Sequence, residues 1–143
     1  MEHLFQTNAT QMKHQLLRNN WTEILRNICY IINNEIIVDF HYFKHIGNSE
    51  TYNLILSNVV NNIDTIVGEL GHFTIHINVK TLSVGDIDKH QDFLQRVSDF
   101  FKTRYEGKLL KCYVYNTPFV FSQVFQLVKK WIDKETIDKM IVL

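Results

Sequence analysis

Strand-like and helix-like patterns alternate along this chain, which predicts an α/β fold with a mixed, mainly parallel sheet flanked by helices. Three observations carry that expectation. A hairpin signal joins Cys29-Tyr30-Ile31-Ile32 to Glu35-Ile36-Ile37-Val38 through Asn33-Asn34, a dipeptide that tolerates positive φ. A long helical stripe follows and precedes an alternating run at 73–79, and a helix between strands is the crossover that parallel pairing requires. The last third reads strand, tight turn, apolar helix, turn, strand, and it carries the only proline.

Taken in order, residues 10–18 are a modest helix candidate with Met12, Leu16 and Leu17 apolar, interrupted by Asn19-Asn20. Residues 21–32 are ambiguous by period until the hairpin, whose second arm is expected to run to Phe43. Ser49 is expected to cap the long helix ahead of Glu50 and Thr51. Its stripe is Tyr52, Leu56, Val59, Val60, Ile63, Ile66, Val67 and Leu70, and Gly71 stands where a C′ glycine would end it. Phe73, Ile75, Ile77 and Val79 then alternate with Thr74, His76 and Asn78, a strand with one apolar and one more polar face. Asp88 and Gln91 make a candidate capping box for a helix with the core stripe Phe93, Leu94, Val97, Phe100, Phe101 and Tyr105.

Lys111-Cys112-Tyr113-Val114-Tyr115 has strand composition, Asn116-Thr117 breaks it, and Pro118 sits where a helix can begin, because its missing N–H is one of the donors left unpaired there. Across 119–132 the helix carries Val120, Val124, Leu127, Val128 and Trp131 beside Phe121, Phe125 and Ile132. At 100° per residue these cover roughly 160°, wider than the ~100° stripe that seats a helix on one core. Two readings follow. Either the whole arc is buried against the sheet and the Tyr52–Leu70 helix, or one edge seats on the domain and the other faces a ligand pocket or a bilayer interface.

A chain of 143 residues suffices for one core and not two, so the expectation is one domain over 1–143, with a helical segment at 1–20 and an α/β core at 21–143. Fifteen basic and fifteen acidic residues cancel, so charge favours neither nucleic acid nor an anionic surface. No apolar run approaches ~20 residues, and Met1-Glu2-His3-Leu4-Phe5-Gln6 lacks the order of a secretory signal. A soluble, cytoplasmic protein is expected, peripheral to membranes where it meets them. Cys29 and Cys112 lack metal-like spacing and read as reduced, buried small hydrophobes.

Nucleophile-elbow, Walker, Rossmann and zincin patterns are absent, so no enzyme, cofactor or catalytic residue is expected. His41 and His45 have metal-ligand spacing only on a helix, yet 38–43 reads as strand. His72 and His76 share at best a strand face, and surface or hydrogen-bonded histidines are the expectation, with no metal.

Asn116-Thr117-Pro118-Phe119-Val120-Phe121, then Lys129-Lys130-Trp131-Ile132-Asp133, Thr136 and Lys139-Met140-Ile141-Val142-Leu143 resemble the CRAL-TRIO lipid-binding domain. Its usual run there is Asn-Ala-Pro-Phe, an aromatic-rich helix, Lys-Pro-Phe-Leu-Asp, and Thr-x-x-Lys-Ile before a hydrophobic strand. Upstream, Asn78-Val79-Lys80-Thr81-Leu82-Ser83 falls where the family often has Asp-Leu-Lys-Gly-Ile-Ser, with asparagine for the aspartate and threonine for the glycine. The family domain normally continues past the strand at 140–143 and is preceded by a helical bundle. The resemblance therefore implies a C-terminally short CRAL-TRIO-like fold, either minimal or completed by another subunit.

What the resemblance implies for function is non-enzymatic binding, and transfer between membranes, of a phospholipid or other hydrophobic ligand. The helix at 118–132 is then a gate over a pocket lined by Ile75, Ile77, Cys112, Val114, Phe119, Phe121, Phe125 and Val128. Relatives that bind phosphatidylinositol use a lysine matching Lys139 and an acidic residue near Glu106, which sits one place early because Gly107 takes its position. The alternative is a protein-interaction or dimerisation module with no open cavity. The surplus apolar surface predicts a homodimer, with Trp131 as the interface candidate.

Overall fold

The computed structural model describes residues 20–143. The helix expected at 10–18 lies outside them. A short helix α1 (Trp21–Ile28) leads into a hairpin of β1 (Cys29–Ile32) and β2 (Glu35–Asp39). Then come α2 (Phe40–Ile46), α3 (Tyr52–Leu70), β3 (Phe73–Asn78), α4 (Val84–Lys89), α5 (Gln91–Arg104) and β4 (Leu109–Tyr115). Helices α6 (Phe121–Val128) and α7 (Lys134–Asp138) and strand β5 (Met140–Val142) complete the order.

The strands form one sheet in the order β1-β2-β3-β4-β5, antiparallel at β1–β2 and parallel at the other three pairings. This is the expected mixed, mainly parallel sheet. The hairpin turns at Asn33 and Asn34, with φ of 52° and 63°, the left-handed pair that asparagine tolerates. Register then carries apolar side chains across all five strands. Ile31, Ile36, Ile75, Cys112 and Met140 are successive partners, as are Cys29, Val38, Ile77, Val114 and Val142.

These two rows face the helices. Ile63 and Ile66 of α3, 0% and 1% exposed, join the core cluster with Cys29, Ile36, Ile75 and Val114. Gly71 closes α3 at φ 80°, its N–H donating to the Val67 carbonyl. A second apolar cluster, Ile24, Ile28, Tyr42, Phe43, Ile46, Ile55 and Phe93, ties α1, α2, α3 and α5 together. Asn58 and Asn62 donate from their amides to the Leu25 and Cys29 carbonyls, tying α3 to the end of α1 and the start of β1. A bidentate Arg104–Asp64 pair and the Tyr105 hydroxyl, donating 2.8 Å to Asp64 Oδ1, clamp the end of α5 to α3. Arg104 first, then Tyr105, hold the Asp64 carboxyl below its ordinary range.

On the opposite face, Tyr30, Ile37, His76, Tyr113 and Ile141 are partners in one row. The face expected to be more polar is not open to solvent, since His76 and Asn78 are both buried. His76 stacks on Tyr113 with ring centroids 5.0 Å apart, and its Nε2–H donates 2.7 Å to Glu35 Oε1. Its Nδ1 lies 2.6 Å from the Tyr115 hydroxyl.

Four local expectations are overturned. β2 stops at Asp39 because the Asp39 carboxylate accepts from the His41 N–H and starts α2, so His41 and His45 lie on a helix with ring centroids 5.1 Å apart. His41 is engaged through Nδ1 with Thr81 Oγ1 at 2.9 Å. Ser49 is not the N-cap of α3; Thr51 holds that position without a side-chain capping bond, its Oγ1 instead accepting from the Asn48 N–H and donating to the Ile46 carbonyl. The capping box is Ser83 with Asp86, opening α4, and not Asp88 with Gln91. The helix expected at 119–132 is regular only over α6, because Pro118 and Val128 both accept three-residue turn bonds at its ends, from Phe121 and Trp131.

The loop after β3 stores strain. Thr81 has φ 66°, a left-handed value that costs an L-residue ~1–2 kcal/mol and more where the side chain is β-branched. It stands at the glycine of the family run that residues 78–83 resemble. The Lys44 ammonium, donating 2.7 Å to the Thr81 carbonyl, and the His41 contact hold it there. Thr81→Gly removes the strain and keeps the Lys44 bond, and is expected to raise unfolding free energy by about 0.5–1 kcal/mol in urea titration, while Thr81→Ala, which removes only the β-branching, gives a smaller gain.

Asp39 is 2% exposed, and burial pushes its carboxyl up to about 6 against the His41 N–H, the Asn78 amide and the Lys80 charge. A folded-state value above the unfolded ~3.9 stabilises the fold below about pH 4, and that contribution is lost as pH rises to about 6. Asp39→Asn keeps the acceptor oxygen and cannot ionise. Its urea midpoint is expected to fall less than wild type's between pH 4 and 6.5, by the equivalent of about 2–3 kcal/mol.

Candidate functional site

Between the sheet and helices α5 and α6 lies a cavity of about 360 Å³ that opens to solvent on one side. Its floor is the helical face of the sheet, with Ile75 and Ile77 from β3, Cys112 and Val114 from β4, and Met140 from β5. Period-two alternation puts these side chains on one face, and parallel register lines them up across the strands. One wall is Leu94, Val97 and Phe101 of α5, spaced three and four residues apart as a helix face requires.

The roof is α6. Val124, 1% exposed, is the seat of this eight-residue helix, while Phe121, Phe125 and Val128 border the cavity. The rings of Phe121 and Phe125 stack with centroids 6.2 Å apart. Leu127 points outward at 40% exposure. The broad apolar arc is thus divided among core, cavity and solvent.

Charged side chains that line the cavity and are also exposed mark its mouth: Lys102, Glu106, Asp133 and Glu135, joined by the half-buried Lys139 and Thr136. Asp133 caps α7 by accepting 2.8 Å from the Thr136 N–H, and these Thr136 hydrogen bonds, reinforced by Lys102 and Lys139, hold its carboxyl below the ordinary range. Lys139 donates to the Leu109 carbonyl and, at 3.1 Å, to Glu135 Oε1. Burial pushes the Cys112 thiol up to about 11, so it stays protonated at neutral pH as an apolar floor group.

Of the residues expected at a pocket, Ile75, Ile77, Cys112, Val114, Phe121, Phe125 and Val128 come together around this cavity, and Lys139 and Glu106 stand at its mouth. Phe119 does not join them. It is 101% exposed, because the helix begins two residues later and Phe119 falls in the turn after Pro118. Trp131, the interface candidate, is 9% exposed and lines the cavity, with the Lys130 ammonium 5.3 Å above its ring. Its burial removes it as a surface anchor.

Sequence reasoning missed Lys102 and the cavity-facing role of α5. Leu94, Val97 and Phe101 stand out as a helical stripe, but a stripe over a hollow and a stripe over a filled core have the same period. Lys102 carries no pattern signal at all. Among the described residues no group of three or more His, Cys, Asp or Glu side chains is placed to hold a metal.

A family model described as CRAL/TRIO domain matches residues 36–143. No curated relative matches the chain. Among solved structures, the crystal structure of Sfh5 aligns with a TM-score of 0.69 at 20% sequence identity, over 83% of this chain and 48% of that one. The chain spans about half the length of that relative, and at this identity the likeness speaks for the fold.

Proposed function

Because this chain belongs to the CRAL/TRIO family across residues 36–143, we propose that it binds a phospholipid or related lipid between the sheet and α6, without chemical turnover, and carries it between membranes. The observation that supports this reading is the hollow itself. In an interaction module on the same scaffold the aromatic side chains of α6 would fill that space. Here Phe121 and Phe125 border it instead. Each enclosed methylene contributes about 0.8 kcal/mol, so the chain supplies the affinity and a few groups at the mouth orient the head.

Lys139 and Glu106 are the head-group candidates for a phosphatidylinositol-like ligand, and α6 is the gate. Among the described residues no helix is long and apolar enough to cross a membrane. The proposal is accordingly of a cytoplasmic protein in transient, peripheral contact with the bilayer, with Phe119 reaching into the interface. Nucleic acid and cofactors have no part in it.

Protein purified from lipid-rich cells is expected to carry about one lipid per chain in native mass spectrometry. Phe125→Asp should abolish that uptake at unchanged far-UV dichroism, whereas Lys139→Ala lowers affinity only a few-fold, since an exposed pair is worth ~0.2–1 kcal/mol. Empty extracts together with no uptake of labelled lipid would return the reading to the interaction module.

A homodimer is proposed on separate grounds. Phe119 lies wholly in solvent, and Leu110, Val142 and Leu143 are about half exposed along β4 and β5. Among the described residues β5 has a single neighbour in the sheet, and an edge with apolar side chains invites pairing. Sedimentation velocity at micromolar concentration is expected to give a dimer that Val142→Lys dissociates, and a wild-type monomer would rule it out.

A further inference from the structure

His90 is shared by two helices. Its N–H closes α4 on the Asp86 carbonyl at 3.0 Å, and its carbonyl accepts the Leu94 N–H at 2.9 Å in the first turn of α5. The residue is 1% exposed, with the Phe43 ring of α2 at 4.8 Å and the Tyr52 ring of α3 at 5.8 Å. Nδ1 lies 2.6 Å from the Tyr52 hydroxyl. Nε2 is buried and has no hydrogen-bond partner among the described residues. Such a site holds a neutral imidazole in either tautomer, since a hydroxyl serves one ring nitrogen as donor or as acceptor. It does not suit the imidazolium, whose second N–H and charge would face aromatic rings with no acceptor.

The charges nearby do not reverse this. α4 brings Asp86, which favours the charged ring, and Lys89, which opposes it. The Asp86 carboxylate is already engaged by Lys44 of α2 at 3.2 Å and by the Ser83 N–H at 2.9 Å. Tyr52 is the titratable group of α3 against the ring. Of the charges on α5, Asp92 acts on Tyr52, and the Arg96 guanidinium lies over the Phe93 ring. Burial first, then Lys89, holds the His90 ring below its ordinary range. A folded-state value below the unfolded ~6.5 gives stability that is complete above about pH 6.5 and is lost as pH falls through the folded value.

What this junction supports is the roof. α4 packs against α6, and Ile87 of α4, 6% exposed, shares a core cluster with Val124, the seat of α6, and with Trp131 just beyond it. We propose that His90 couples acidity to α6: protonation turns the ring toward water, shifts α4 where it joins α5, and frees Val124 and Trp131 from Ile87. The device needs no occupant beneath the roof, so it stands apart from the lipid-binding reading.

A Trp21→Phe background leaves Trp131 as the sole indole, and acrylamide quenching of the ligand-free protein reads its exposure. Quenching is expected to rise about threefold between about pH 7 and about pH 5, with far-UV dichroism unchanged. His90→Asn, whose amide oxygen can still accept from Tyr52, should hold the neutral-pH value throughout. Asp39 titrates in the same range with the opposite sign, and because both proteins carry its effect, the difference between them isolates His90. NMR of the assigned His90 ring in the same background gives the protonation midpoint independently. It should coincide with that of quenching, below about 6.5. No rise in quenching, a rise that persists in His90→Asn, or a rise that comes with loss of dichroism overturns the proposal. If His90→Asn does not fold, unequal NMR and quenching midpoints in the Trp21→Phe protein overturn it, and equal ones support it.

Discussion

Two rows of side chains crossing five strands in register hold the helical side of this molecule in place. Ile36, Ile75, Cys112 and Met140 form one row, and Val38, Ile77, Val114 and Val142 the next. Because side chains alternate along a strand, a slip of one residue at β3 would exchange Ile75 and Ile77 for His76. The opposite face forbids that slip. His76 is fixed there between the Glu35 carboxylate, the Tyr115 hydroxyl and the Tyr113 ring, and Asn78 is bonded to Asp39. Polar pairing on one face therefore locks the apolar rows on the other, and through them the cavity floor.

The same rows explain why the hollow sits where it does. α3 covers the β1–β3 side with Ile63 and Ile66, both fully buried. Over β4 and β5 the cover is α5, α6 and the short α7, which line the hollow with Leu94, Val97, Phe101, Phe121, Phe125 and Thr136. A floor of small groups such as Cys112 and Val114 under Phe101, Phe121 and Phe125 leaves space that rigid rings do not collapse into.

Much of this was legible in the residues. Asn33-Asn34, Gly71, the alternation at Ile75 and Ile77, and the motif from Asn116 to Leu143 are signals fixed by local backbone chemistry or by order and spacing, and each falls where it was read. The errors are at boundaries where two local signals compete. Phe40, Tyr42 and Phe43 have strand composition, yet the Asp39 cap and burial in the second cluster make them helical. Ser83-Asp86 and Asp88-Gln91 both read as caps, and only the first has its hydrogen bonds. Phe119 was assigned to the pocket because the helix was started two residues too soon. Lys102 was overlooked because the value of an exposed lysine depends on what opens beside it, which is a tertiary fact. Thr81, at the glycine of the resembled run, holds a left-handed conformation without the glycine.

α6 has one further consequence. Eight residues are too few for a helix to hold itself together in water, and only Val124 is fully buried within it. Such an element belongs to the low-stability end of a fold, opening on microseconds to milliseconds without disturbing the sheet. Under the proposed lipid-binding reading, the residence time of an occupant would be governed by returning its own chain to water, about fourfold slower for each added methylene. On that reading the roof would decide whether exit is permitted, and the length of the guest how long it stays.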